Sequence, residues 1–190
     1  MVQTISSTPP LAFVGDAPYK KTLTYGQKYQ VKVDPAFRWD DVWGWLTDSM
    51  GACADEADRA GLKLCLEPRV GEIISNTDAL LRLMDAVDSD NFGAVLDTGH
   101  LNAQKEILPL SVEKLGGRIH YVHASDNDGQ TNQHLAPGKG TVDWDGVFLA
   151  LKKHDFSGYV AVDVGGVPNV DAQYAESKTF LEKLAKRLGV

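Results

Sequence analysis

Phe92-Gly93-Ala94-Val95-Leu96-Asp97 is a short apolar run that ends abruptly in a carboxylate, and it is one of four apolar runs that end in a polar residue. The others are Leu62 to Glu67, Ile119 to His123 and Tyr159 to Asp163. Amphipathic segments lie between them at Thr77 to Val87, Ser111 to Leu115 and Trp144 to Lys153, and another from Ala172 to Leu188 closes the chain. Short strands alternating with helices predict right-handed crossovers and a parallel sheet, so the fold class is α/β.

Each run ends in a residue that packing alone does not call for: Glu67, Asp97, His123 and Asp163. Parallel strands put all their C-terminal ends on one side, so these four side chains should converge on one mouth, where α/β folds place their active sites. Carboxylates with one imidazole and no thiolate form an oxygen-rich donor set suited to one divalent ion: manganese, magnesium, cobalt or zinc. A single strand-end Asp is ordinarily a helix cap or a turn residue. Four polar strand ends are not explained that way.

Two loops extend the mouth. Asp97-Thr98-Gly99-His100 sets an imidazole on the loop leaving its strand, where it could touch a substrate oxygen or a second metal. The segment after His123 runs through Asp126 and Asp128 to His134, then Pro137-Gly138-Lys139-Gly140 and Val142-Asp143-Trp144. That is long for a βα connection, and long loops in compact domains are commonly functional. Its Gly-x-Gly pair serves equally as turn formers.

Upstream, Arg38 to Ala60 reads as a helix with Trp39, Val42, Trp43, Leu46, Met50, Cys53, Ala54 and Ala57 on or near a packing stripe, stopped at Gly61. Residues 1–35 read as one short strand, Leu11 to Val14, plus loop that includes a polar Lys- and Tyr-rich stretch. This divides the chain into an N-terminal region, 1–35, and a single domain over 36–190.

The 190 residues carry a formal net charge of -7, which speaks against a phosphate-backbone binder, so no nucleic-acid partner is expected. Nothing approaches the ~18 apolar residues of a membrane span, and no secretion signal is read. Two cysteines without a Cys-x-x-Cys pair fit a reducing, cytoplasmic setting.

The chain resembles the xylose-isomerase-like barrels, which include sugar isomerases and epimerases, hydroxypyruvate isomerases, inosose and dehydroshikimate dehydratases, and endonuclease IV. The resemblance runs from about Trp39 to the end. It is carried by Leu66-Glu67-Pro68, Leu96-Asp97-Thr98-Gly99-His100, Val122-His123-Ala124-Ser125-Asp126, the stretch from Gly138 to Trp144, and Gly158-Tyr159-Val160-Ala161-Val162-Asp163. It implies metal ligands at the ends of barrel strands five to eight: Glu67, Asp97, His123, and Asp163 where the family has Glu. Ser125 stands where the family's H-x-K-D pattern has Lys. A full barrel needs eight βα units and ~250 residues. The fold implied is therefore a partial (β/α)8 TIM barrel with about strands 4 or 5 to 8 and their helices. Its open sheet implies a homo-oligomer or a partner subunit that completes the barrel.

The activity implied is a metal-dependent sugar isomerase or epimerase that moves a proton next to a carbonyl through an enediolate. Glu67 and Asp163 are then ligands and acid/base pair, and His100 orients a substrate hydroxyl. Arg69, Glu72 and His134 are candidate contacts to the sugar. The same apparatus serves a dehydratase or lyase acting on a keto-sugar or an oxidised glycoside. The non-enzymatic alternative is a fragment or interaction subunit. An endonuclease IV-like role is disfavoured, because Asn132-Gln133-His134 stands where that enzyme has an Asp-x-His pair.

Overall fold

The computed structural model describes residues 1–20 and 28–189. Most of the Lys- and Tyr-rich stretch, residues 21–27, lies outside the described residues. In chain order the strands and helices are β1 (Val2–Ile5), β2 (Leu11–Val14), β3 (Gln30–Val33), α1 (Trp39–Arg59), β4 (Leu64–Glu67), α2 (Thr77–Val87) and β5 (Phe92–Asp97). They continue with α3 (Thr98–Ala103), α4 (Leu108–Leu115), β6 (Ile119–Ala124), α5 (Trp144–Lys153), β7 (Tyr159–Val162) and α6 (Val170–Leu188).

Five strands form a parallel sheet in the order β1-β4-β5-β6-β7. The four apolar runs are thus neighbouring strands with helices between them. The N-terminal segment corrects the expectation in one respect. Leu11–Val14 is a strand, but it pairs antiparallel with β3 in a separate two-stranded ribbon. The sheet's first strand is Val2–Ile5, set in register against β4 with Ile5 beside Glu67. Its Gln3 and Thr4 break any apolar run, and as an edge strand it is largely exposed, so nothing in its composition marks it.

Alternate strand residues face opposite sides of the sheet. Leu64 and Leu66, Ala94 and Leu96, and Val122 and Ala124 face the helices. There they join Leu46, Met50 and Ala54 of α1, Leu80 and Leu83 of α2, Val112 of α4, Val147 of α5 and Leu184 of α6 in one buried core. The other parity carries Glu67, Asp97 and His123 to the opposite, inner face. Trp43 packs against the core and stacks on Trp39, with the Arg82 guanidinium 4.2 Å above the Trp43 ring, so the tryptophan stripe is packing. Gly61 supplies the left-handed turn (φ +67°) that lets the chain leave α1 for β4. Among the described residues the outer edges of β1 and β7 are unpaired, and Tyr159 on β7 is 78% exposed. No described helix is long and apolar enough to cross a membrane.

Candidate metal centre

Glu67 is the last residue of β4, Asp97 the last of β5, His123 the penultimate residue of β6, and Asp163 the first beyond β7. One donor atom from each lies within 4.8 Å of all the others. The strand register does much of this: Asp97 sits directly beside His123, and Ala124 beside Val162. The four strand-end residues therefore meet as the sequence pattern requires.

His123 Nδ1 is 3.0 Å from Glu67 Oε1 and 3.6 Å from Asp97 Oδ2. Burial opposes charge on the ring, but the Asp97 and Glu67 carboxylates outweigh it and raise the His123 pKa to about 10. The other Glu67 oxygen accepts from the Gln3 side chain at 2.9 Å. Gln3 is a site residue that the sequence reading missed. Recognising β1 and its parity would have revealed it.

Asp97 has two roles divided between its oxygens. Oδ1 accepts from the His100 backbone N–H and caps α3, which corrects the expectation that His100 sits on an open loop. Oδ2 is buried and accepts no hydrogen bond among the described residues, and its neighbour is the His123 ring 3.6 Å away. A buried polar oxygen without a hydrogen bond is costly. A cation held by these four residues would supply what Oδ2 lacks, and three carboxylates with an imidazole are donors that such an ion takes. The residues present fit a divalent metal.

His100 is almost fully buried, and burial lowers its pKa to about 4. Arg69 Nε lies 3.2 Å from its Nε2 and the Val70 backbone nitrogen 3.3 Å from its Nδ1, and the neutral ring accepts from one of the two. Arg69 also lies 3.9 Å from Glu72, whose carboxyl accepts from the Ser6 hydroxyl. Burial raises the Glu72 pKa. Thr8, Tyr19, Arg69, Glu72, His100 and Asn132 line a cavity of about 420 Å³ beside the metal candidates.

His134 faces Asp163: its Nδ1 lies 3.1 Å from Oδ2, and its Nε2 lies 3.1 Å from the Asn132 amide nitrogen. The hydrogen bond from His134 holds the Asp163 carboxyl below its usual range. The loop that carries His134 is built around the fully buried Asp126. Its carboxylate accepts from the backbone N–H of Asn127, Gly138 and Val142 and from the Trp144 indole. The glycine pair is thus turn chemistry, with the Gly138 N–H used on Asp126.

The family profile of the xylose isomerase-like TIM barrel matches residues 21–184. Fructoselysine 3-epimerase of Escherichia coli O157:H7 is 24% identical over 126 residues, 65% of this chain and 46% of that protein. An inosose dehydratase of Bacillus licheniformis is 27% identical over 148 residues, 69% of this chain and 49% of its own. The crystal structure of a D-tagatose 3-epimerase-like protein superposes with a TM-score of 0.71 at 25% identity, over 80% of this chain and 58% of that one. The chain spans about half the length of the curated relatives it matches.

Proposed function

The chain belongs to the xylose isomerase-like TIM barrel family, and on that footing we propose that it works as a divalent-metal-dependent sugar isomerase or epimerase. The observation that carries this reading is the convergence of Glu67, Asp97, His123 and Asp163, with a buried Asp97 Oδ2 that accepts no hydrogen bond among the described residues. Those four residues would hold the ion. When bound, it supplies charge that polarises a substrate carbonyl and acidifies the neighbouring C–H.

The rest of the chemistry falls to side chains. Epimerisation breaks a C–H bond next to the carbonyl, places its electron pair on the carbonyl oxygen as an enediolate, and returns a proton to the opposite face of the carbon. Glu67 and Asp163 are the pair for these two transfers. Gln3 fixes one Glu67 oxygen, and His134 fixes one Asp163 oxygen. His100, neutral at physiological pH, offers a ring nitrogen to a sugar hydroxyl once Arg69 or Val70 yields its place. Arg69 and Glu72 line the adjoining cavity, where further hydroxyls would sit.

A second reading, dehydration of a keto-sugar or keto-inositol, has support from the similarity to inosose dehydratase. It begins with the same proton abstraction and ends with loss of a β-hydroxyl as water. The edges of β1 and β7, unpaired among the described residues, support closure of the barrel by further strands, from a second copy or a partner subunit. Light scattering should then give a solution mass above 20.7 kDa.

The test is proton NMR in D2O with protein loaded with manganese or cobalt and a panel of 2-ketohexoses, 3-keto sugars and keto-inositols. Loss of the signal of the C–H beside the carbonyl, with a new epimer, is the expected result, and release of an enone identifies the dehydratase. Absence of both exchange and elimination across the panel contradicts the proposal.

A further inference from the structure

Asp163 is the loosest of the four metal candidates. Its side chain is 41% exposed, against 6% for Glu67, 0% for Asp97 and 17% for His123, and it lies beyond the end of its strand. A half-exposed carboxylate keeps rotamer freedom that costs entropy to fix on binding an ion. His134 removes that freedom. Its Nδ1 lies 3.1 Å from Asp163 Oδ2 and 3.2 Å from the Asp163 backbone carbonyl, so one ring nitrogen holds both ends of the residue.

The ring is itself held. The Asn132 amide packs on the other ring nitrogen, 3.1 Å from His134 Nε2, while Nδ1 faces Asp163. The backbone fixes the same geometry. Leu135 and Asp126 exchange two hydrogen bonds, and the Gly165 N–H donates to the His134 carbonyl at 3.1 Å. Both ring nitrogens thus have partners within the protein.

We propose that His134 is a positioning residue: it locks Oδ2 of Asp163 so that Oδ1 is presented to the metal, with Asn132 holding the far side of the ring. The role rests on the metal-site reading above. Hydrogen-bonded partners of this kind are typically worth about 10- to 100-fold in metal affinity.

The test is titration of the 190-residue chain with cobalt(II), followed by the d–d absorption band and by calorimetry. The variants are His134→Ala, His134→Asn, His134→Gln, Asp163→Ala and the His134→Ala, Asp163→Ala pair. The asparagine amide nitrogen falls near the position of Nδ1, whereas glutamine places its amide near Nε2. His134→Ala should weaken cobalt binding about 10- to 100-fold and alter the band. His134→Asn should stay close to wild type, His134→Gln should resemble alanine, and His134→Ala should cost nothing further once Asp163 is alanine.

Unchanged cobalt affinity in a folded His134→Ala protein overturns the proposal while leaving the metal site standing. So does an equal loss with and without Asp163. If His134→Ala does not fold, equal affinities for the asparagine and glutamine variants overturn it. A wild-type chain that takes up no cobalt overturns this role and the metal-site reading together.

Discussion

Glu67 and His123 are 56 residues apart in the chain, yet Glu67 Oε1 lies 3.0 Å from His123 Nδ1. Without a metal this contact keeps a proton on the ring. The His123 pKa is raised in the fold from 6.5 to about 10, so its contribution to stability is full below pH ~6.5 and is lost as pH rises toward 10. A metal ligand must be neutral, so the ion has to displace that proton. Cobalt or manganese affinity should rise about tenfold per pH unit between pH 6 and 8, with about one proton released per ion. Calorimetry in buffers of different ionisation enthalpy measures the release, and a pH-independent affinity with no release contradicts the geometry.

His100 behaves in the opposite sense. Its folded pKa is lowered from 6.5 to about 4, so the unfolded chain binds the proton first as pH falls. Its contribution to stability is present above pH ~6.5 and declines toward pH 4, by up to about 3 kcal/mol. Urea unfolding at pH 7 and pH 4.5, compared with His100→Asn, isolates this contribution. The wild type should lose more stability than the variant, and an imidazole titrating near 6.5 by NMR would contradict the burial described.

Asp126 organises the loop that delivers His134. Asp126→Asn turns an amide NH2 toward two of the four N–H donors that now meet a carboxylate, two on each oxygen. The cost should be about 2 to 4 kcal/mol in urea unfolding, with weaker metal binding through the displaced His134. A change below about 0.5 kcal/mol, the range of ordinary surface substitutions, would show that the loop does not depend on this residue.

Gln3→Ala tests the contribution of the edge strand. It frees Glu67 Oε2 from its only side-chain donor among the described residues. Metal affinity should fall by up to about tenfold, with little change in unfolding midpoint because Gln3 is exposed. An unaltered affinity would remove Gln3 from the site.

The candidate ligands were legible because each ends an apolar run, and a parallel sheet gathers such ends without further information. Asp163 and Glu67 could be joined across 96 positions by that rule alone. The contacts around them follow no such rule. His134 meets Asp163 only because Asp126 folds the intervening loop through three backbone amides and an indole. Arg69 meets His100 only because Asp97 starts a helix where an open loop was expected. Val2–Ile5 was illegible for a different reason. With a partner on one side only it needs no apolar run, whereas the more strand-like Leu11–Val14 forms the ribbon outside the sheet.

The most direct measurement is the metal content of the purified chain by elemental analysis, with thermal unfolding before and after chelation, for wild type and a Glu67→Ala, His123→Ala double variant. The account predicts about one divalent ion per wild-type chain, a lower unfolding midpoint after chelation, and neither ion nor chelator effect in the variant. A wild-type chain that stays free of metal under excess manganese, cobalt and zinc, with an unfolding midpoint indifferent to all three, contradicts it.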